Sequence, residues 1–195
     1  MKNMKIDKSI IVSFILLVVI ASLYRIMPGR PLGFAPQIAM ALFAGSIVKD
    51  KKFSFLLPLL SMLLSDVIYE TLFRFNISSR PGFYDGQFLN YTLFIAVTVI
   101  GFMINKYKPV QIAVGSIAGA TFYFITSNLA VWIGGGLDLN NLPYPKTFDG
   151  LLNCFAAGIP FYQGSLYATL FFSAILFGGY SLFNRLLSAD ETVVA

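Results

Sequence analysis

The 195-residue sequence contains no histidine and one cysteine, Cys154. Those absences exclude an intrachain disulfide, a cysteine-rich zinc site and histidine-based acid–base or nucleophilic chemistry, and most hydrolase templates go with them. Cys154 alone is a weak ligand for a soft metal or a corrinoid cobalt and reads instead as a small buried residue. No cofactor or metal site is expected. Charge is scarce too: 12% of residues are charged, where a soluble domain carries roughly a quarter. A disordered tail and an average cytosolic enzyme are excluded on that ground.

What is present is apolar: 57% hydrophobic residues with 20 Phe, 10 Tyr and 16 Gly, at a mean hydropathy of +0.75. That composition fits an all-α, polytopic membrane bundle, because each span needs about 20 mostly apolar residues to cross roughly 30 Å of hydrocarbon. Six segments are expected, at about 10–26, 36–48, 53–73, 88–105, 110–133 and 161–183, in one membrane domain over 1–195. The segment at 36–48 is short, and a re-entrant or half helix is its alternative reading. Lys2, Lys5 and Lys8 ahead of the first segment resemble a signal peptide. Ala21, Ser22 and Leu23 make a poor cleavage site, however, and a retained span is expected. No room remains for a nucleotide-binding domain of about 100 residues or more, so energy would come from outside the chain.

The formal charge of +5 is read as orientation and not as nucleic-acid binding, since cytoplasmic loops are enriched in Lys and Arg. With the N-terminus inside, the inner side collects Lys2, Lys5, Lys8, Lys49, Lys51, Lys52, Lys106, Lys108 and Arg185. The outer side collects Arg25, Arg30, Arg74, Arg80 and Lys146, giving nine against five. Both termini are then cytoplasmic in a bacterial inner membrane. The long connections, 74–87 and 134–160, fall on the outer face, where loops carry function. Thr147 or Asp149 is expected to cap a short helix over 151–158 that stops or kinks at Pro160.

Polar groups inside spans are costly and line cavities or meet partners. Asp66 lies about 20 Å along the third segment, in its outer half, and Glu70 shares its helix face four residues on. Asn128 and Trp132 are an i,i+4 pair in the outer half of the fifth segment, Asn90 opens the fourth and Gln163 the sixth. Together Asp66, Glu70, Asn90, Asn128, Trp132 and Gln163 form a candidate pocket for a small molecule from the outer side. The alternative is an interfacial aromatic belt with Asp66 paired to Arg74 or Arg80. The inner halves carry small residues, Ala41, Gly45, Gly115 and Gly119 among them. These either pack the bundle or form a face on which another membrane subunit docks.

At 34–45 (FAPQIAMALFAG), 55–66 (FLLPLLSMLLSD), 127–132 (SNLAVW) and 144–161 (YPKTFDGLLNCFAAGIPF), the sequence resembles a family of small bacterial membrane proteins of unknown function. In layout it also resembles the S-components of energy-coupling factor (ECF) transporters. The run PLLSMLLSD is similar to their helix ending in an acidic residue, and 154–177 is similar to their last helix. That resemblance implies six helices, an outer vitamin site under lid loops, and docking to transmembrane and ATPase subunits. The alanine pair on which their first helix docks is missing from 10–26, and Ala41 and Gly45 are the substitute in the second. The leading expectation is a non-enzymatic, substrate-binding subunit for uptake of a vitamin-like molecule, energised by an ATP-driven partner. The alternatives are a membrane scaffold or assembly factor, and an intramembrane enzyme using Asp66 and Glu70.

Overall fold

Apolar chain kept from water folds as helix because only a helix satisfies every backbone N–H and C=O within its own segment. The structure, a computed structural model, describes the backbone of residues 8–193 and the side chains of 12–185. Its helices are α1 (Lys8–Ile26), α2 (Gln37–Ile47), α3 (Lys51–Ser54), α4 (Leu56–Arg74), α5 (Gln87–Gly101), α6 (Pro109–Ile133) and α7 (Phe148–Val193). Asp50 caps α3 by accepting from the Lys52 N–H at 3.1 Å. Phe55, the one residue between α3 and α4, is itself helical at φ −73° and ψ −22°. The described residues therefore form six helical bodies at the places expected. Lys2 and Lys5, and the Lys8 side chain, lie outside the described residues.

Three of the bodies, Lys51–Arg74, Pro109–Ile133 and Phe148–Arg185, are long and apolar enough to cross a membrane. Gln37–Ile47 and Gln87–Gly101 are shorter apolar helices, as is the Val12–Ile26 stretch of α1. At ~1.5 Å per residue, the 11 residues of α2 reach about half of a ~30 Å core. The shortest of these bodies is also the innermost: α2 packs against α4, α5, α6 and α7. Ile38 and Leu42 join Met62, Phe94, Val97 and Phe177 in one core, while Met40 and Ala44 join Val18, Ala21 and Leu57 in another. A helix that is apolar all round belongs in the interior, so α2 has no need to reach both membrane surfaces. The outer faces remain apolar, as Val12, Ile15, Leu16, Val19, Ile20 and Leu23 of α1 show. Such an uncovered face is what a lipid-embedded bundle presents.

The four small residues singled out in the sequence are buried inside the chain. Ala41 is fully buried. A Cβ at Gly45 would stand 2.2 Å from the Thr98 carbonyl oxygen and 3.0 Å from Gly101 Cα, so α2 and α5 touch backbone to backbone. Side chains fill the space at the other two: Ile104 Cδ1 would lie 2.4 Å from a Cβ at Gly115, and Leu42 Cδ1 3.1 Å from one at Gly119. These contacts realise the packing alternative.

One boundary differs from the sequence reading. Thr147 does cap the helix, accepting from the Gly150 N–H at 3.2 Å, but the helix does not stop at Pro160, which lies inside the 46-residue α7. Continuing through proline loses one backbone bond, to the Ala156 carbonyl. Breaking the helix in apolar surroundings strands several.

Ser46 Oγ donates to the Ile104 carbonyl at 2.8 Å, Lys51 Nζ to the Gly45 carbonyl at 2.6 Å, and Lys106 Nζ to Tyr180 Oη at 2.9 Å. These bonds gather the two lysine-rich connections and the second half of α7 at one end of the bundle. The 27–36, 75–86 and 134–147 connections lie at the other.

The α2–α5 contact gives a direct test. Gly45→Ala is expected to cost about 1–3 kcal/mol, the usual penalty for overpacking, whereas a Cβ at Gly178 meets nothing within 4 Å and Gly178→Ala is expected to be neutral or stabilising. Thermal unfolding of both variants in detergent checks the contrast; equal midpoints would contradict the close approach.

Candidate functional site

The 27–36 connection is rich in turn formers: Pro28, Gly29, Pro31 and Gly33. Gly33 takes φ +70°, and a Cβ there would lie 2.1 Å from the Phe161 carbonyl oxygen, so the backbone both turns left-handed and rests on α7. Ser165 Oγ donates to the Gly33 carbonyl at 3.1 Å, and Arg30 Nη1 closes the loop on the Phe34 carbonyl at 2.7 Å. The Phe34 ring sits 5.7 Å from that of Phe172 and 6.3 Å from that of Tyr24. The 75–86 connection is tied down as firmly: the Gly82 N–H donates to Glu70 Oε2 at 3.2 Å.

Between these connections and α1, α2, α4, α5, α6 and α7 lies a cavity of about 790 Å³, the size of a metabolite site. Its charged wall residues are Arg25, Arg30 and Arg80, and no carboxylate lines it. Gln37, Asn90, Tyr69 and Tyr123 add polar groups, while Ile38, Phe94 and Phe161 supply apolar surface. Asn90 bridges two elements, with Oδ1 accepting from the Tyr123 hydroxyl and Nδ2 donating to Tyr84 Oη at 2.8 Å.

Behind the cavity wall, Asp66 is 1% exposed. Its Oδ1 accepts from Arg25 Nη1, and its Oδ2 from Gln87 Nε2 and the Tyr91 hydroxyl, each at 2.7 Å. Both carboxylate oxygens are thus occupied, and the residue joins α1, α4 and α5. Arg25 Nη1 also donates to Ser65 Oγ, and Tyr69 Oη donates to the Arg25 carbonyl at 3.1 Å. Ser22 Oγ continues the α1–α4 seam to the Ser61 carbonyl at 2.8 Å.

Two ion pairs occur among the described residues, Arg25–Asp66 and Arg74–Glu70. Neither pairing expected for Asp66, with Arg74 or Arg80, is made. Arg30 and Arg80 have no carboxylate partner, and burial, with Arg25 nearby, pulls the Arg30 guanidinium below its ordinary range against the opposing effect of Tyr69. The cavity therefore carries uncompensated positive charge.

Of the six pocket candidates, the structure brings Asn90 to this wall, with Asp66 one layer behind it. Glu70 faces Arg74 Nε at 2.9 Å instead. Asn128 and Trp132 lie five and nine residues past Tyr123 along α6, about 8 and 13 Å beyond the cavity level. Asn128 Nδ2 donates to the Phe124 carbonyl at 2.8 Å, and a Cβ at Gly158 would come 2.4 Å from its Oδ1. Trp132 Nε1 holds the Pro145 carbonyl at 2.8 Å while Lys146 Nζ covers the last carbonyls of α6, so both anchor the 134–147 connection. Gln163 is exposed. Cys154 is buried, its thiol 3.5 Å from the Asn128 carbonyl. Among the described residues no group of His, Cys, Asp or Glu could hold a metal ion.

Sequence reasoning treated Arg25, Arg30 and Arg80 as orientation signals and missed their role in the wall, along with Gln37, Tyr69 and Tyr123. A signal was present: four of the five outer basic residues are arginine, while the inner side is almost all lysine. Arginine is the residue suited to planar, multidentate recognition.

Fold and site together define an all-helical protein with membrane-like helices and a cationic cavity at one end. The chain belongs to DUF6580, a family of unknown function, whose profile matches residues 5–190. No curated protein and no solved structure matches it.

Removing one partner of a buried ion pair costs about 3–5 kcal/mol. Asp66→Ala is accordingly expected to lower the denaturation midpoint in detergent sharply and Glu70→Gln to leave it nearly unchanged, since Arg74 is 76% exposed. Equal effects of the two variants would contradict the assignment of Asp66 as the structural hub.

Proposed function

We propose that the protein is a substrate-binding membrane subunit that captures a vitamin-like small molecule in the arginine-walled cavity for uptake, with a separate ATP-driven partner supplying the energy. The observation that carries this reading is the cavity itself: about 790 Å³, with polar groups converging on it from six helices and two connections. Binding sites for small molecules combine that volume with a few placed polar groups on an apolar wall. Loops held by short contacts, such as Gly33 on Phe161, are suited to act as lids.

Orientation follows from charge. The lysine-rich connections favour the cytoplasm, which turns the cavity outward. Binding alone does not accumulate solute, so an ATPase module of the ECF type is the proposed partner. The scaffold reading relied on small-residue faces open to other helices, and Gly45, Gly115 and Gly119 are engaged within the chain.

Protein purified in mild detergent is expected to hold a small molecule visible as a mass increment in native mass spectra. Tyr123→Phe and Asn90→Leu, which break the wall between α5 and α6, are expected to lose it, while Gln163→Ala keeps it. A spectrum of bare protein, together with no thermal stabilisation by any of a broad vitamin panel, would overturn the reading.

A further inference from the structure

Two features of the cavity wall remain uncompensated within the chain. The first is charge: Arg30 and Arg80 line the cavity without a carboxylate partner, and Arg25 beside them is neutralised from behind by Asp66. The second is hydrogen bonding. Three buried side-chain polar atoms among the described residues lack any partner, and two of them belong to wall residues: Arg30 Nε, a donor, and Gln37 Oε1, an acceptor. Gln37 is 3% exposed, and its amide nitrogen reaches the Ala21 carbonyl only at 3.4 Å.

An orphaned buried donor or acceptor bears its full desolvation penalty, more so beside a charge. Water satisfies such atoms elsewhere, but water does not neutralise two guanidinium groups. A solute that balances the charge brings an anionic oxygen to the arginines of the wall.

From this we infer that the ligand is an anion, a carboxylate- or phosphate-bearing small molecule. The anionic group sits among Arg25, Arg30 and Arg80, which line the cavity. The apolar patch of Ile38, Phe94 and Phe161 takes the rest of the molecule. This inference rests on the small-solute reading above and specifies its substrate class. An anionic lipid headgroup shares the chemistry, and the experiment separates the two sources.

The aqueous fraction below about 1 kDa from a bacterial cell extract is split on an anion exchanger into retained and unretained pools. Each pool, and separately phosphatidylglycerol in mixed micelles, is added to the purified full chain while thermal unfolding is followed, since a ligand that binds only the folded state raises the midpoint. The retained pool is expected to raise it and the unretained pool to leave it unchanged. Arg30→Gln should need at least about tenfold more of the pool for the same shift, as loss of a charge-assisted bond implies. Arg80→Gln, at an exposed loop position whose loss does not threaten folding, should need a few-fold more, on the order of an exposed charge contact. Stabilisation by the unretained pool, or an undiminished response in both variants, overturns the anion assignment and leaves solute capture standing. Stabilisation by phosphatidylglycerol alone moves the anion to the bilayer and overturns capture of a soluble solute. No response to any of the three overturns both readings.

Discussion

The organisation of the cavity end depends on one buried ion pair. Asp66 has almost no contact with the surroundings, and an unpaired carboxylate there would be prohibitively costly in a low-dielectric interior. Arg25, Gln87 and Tyr91 remove that cost by filling both oxygens. Because the donors come from α1 and α5 while the acceptor sits on α4, the electrostatic requirement of a single residue sets the relative positions of three helices. It also places Arg25 on the cavity wall with its charge already balanced, so that the excess positive charge is that of Arg30 and Arg80.

The second constraint is the central α2. Its small and apolar residues let four helices close around it, and the backbone contact between Gly45 and Gly101 is the tightest expression of that packing. A helix of this length does not span a bilayer alone. Enclosed by neighbours, it instead forms the floor of the cavity through Gln37 and Ile38, at its N-terminal end. The same short segment thus serves packing at one end and recognition at the other.

Five of the helical bodies were legible in the sequence to within a few residues because long apolar runs have few structural solutions in lipid-like surroundings, while the last runs over Phe148–Val193 where 161–183 was expected. The importance of Asp66 was legible for a similar reason: an acid in an apolar run must meet a partner. Its partner was not, because Arg25 lies on a helix whose lateral position no local pattern encodes, and Arg74, nearer in sequence, goes to Glu70. Asn128 and Trp132 were assigned by depth along their helix. Depth alone does not say that α6 and α7 continue past the cavity as a pair. The stop expected as one alternative at Pro160 is not made, because helix-breaking rules derived in water undervalue continuity where backbone groups have nowhere else to bond. The excess positive charge of the wall becomes visible only once the loops are in place and Arg30 and Arg80 are seen beside the cavity without a carboxylate among the described residues.

The most direct test of the central claim is an experimental structure of the protein purified rapidly, without dialysis, from its expressing cells. The account predicts density in the cavity against Arg30 and Arg80, with Asp66 still holding Arg25 behind it. A cavity closed by side chains, or Arg30 paired with a carboxylate of the chain itself, would contradict it.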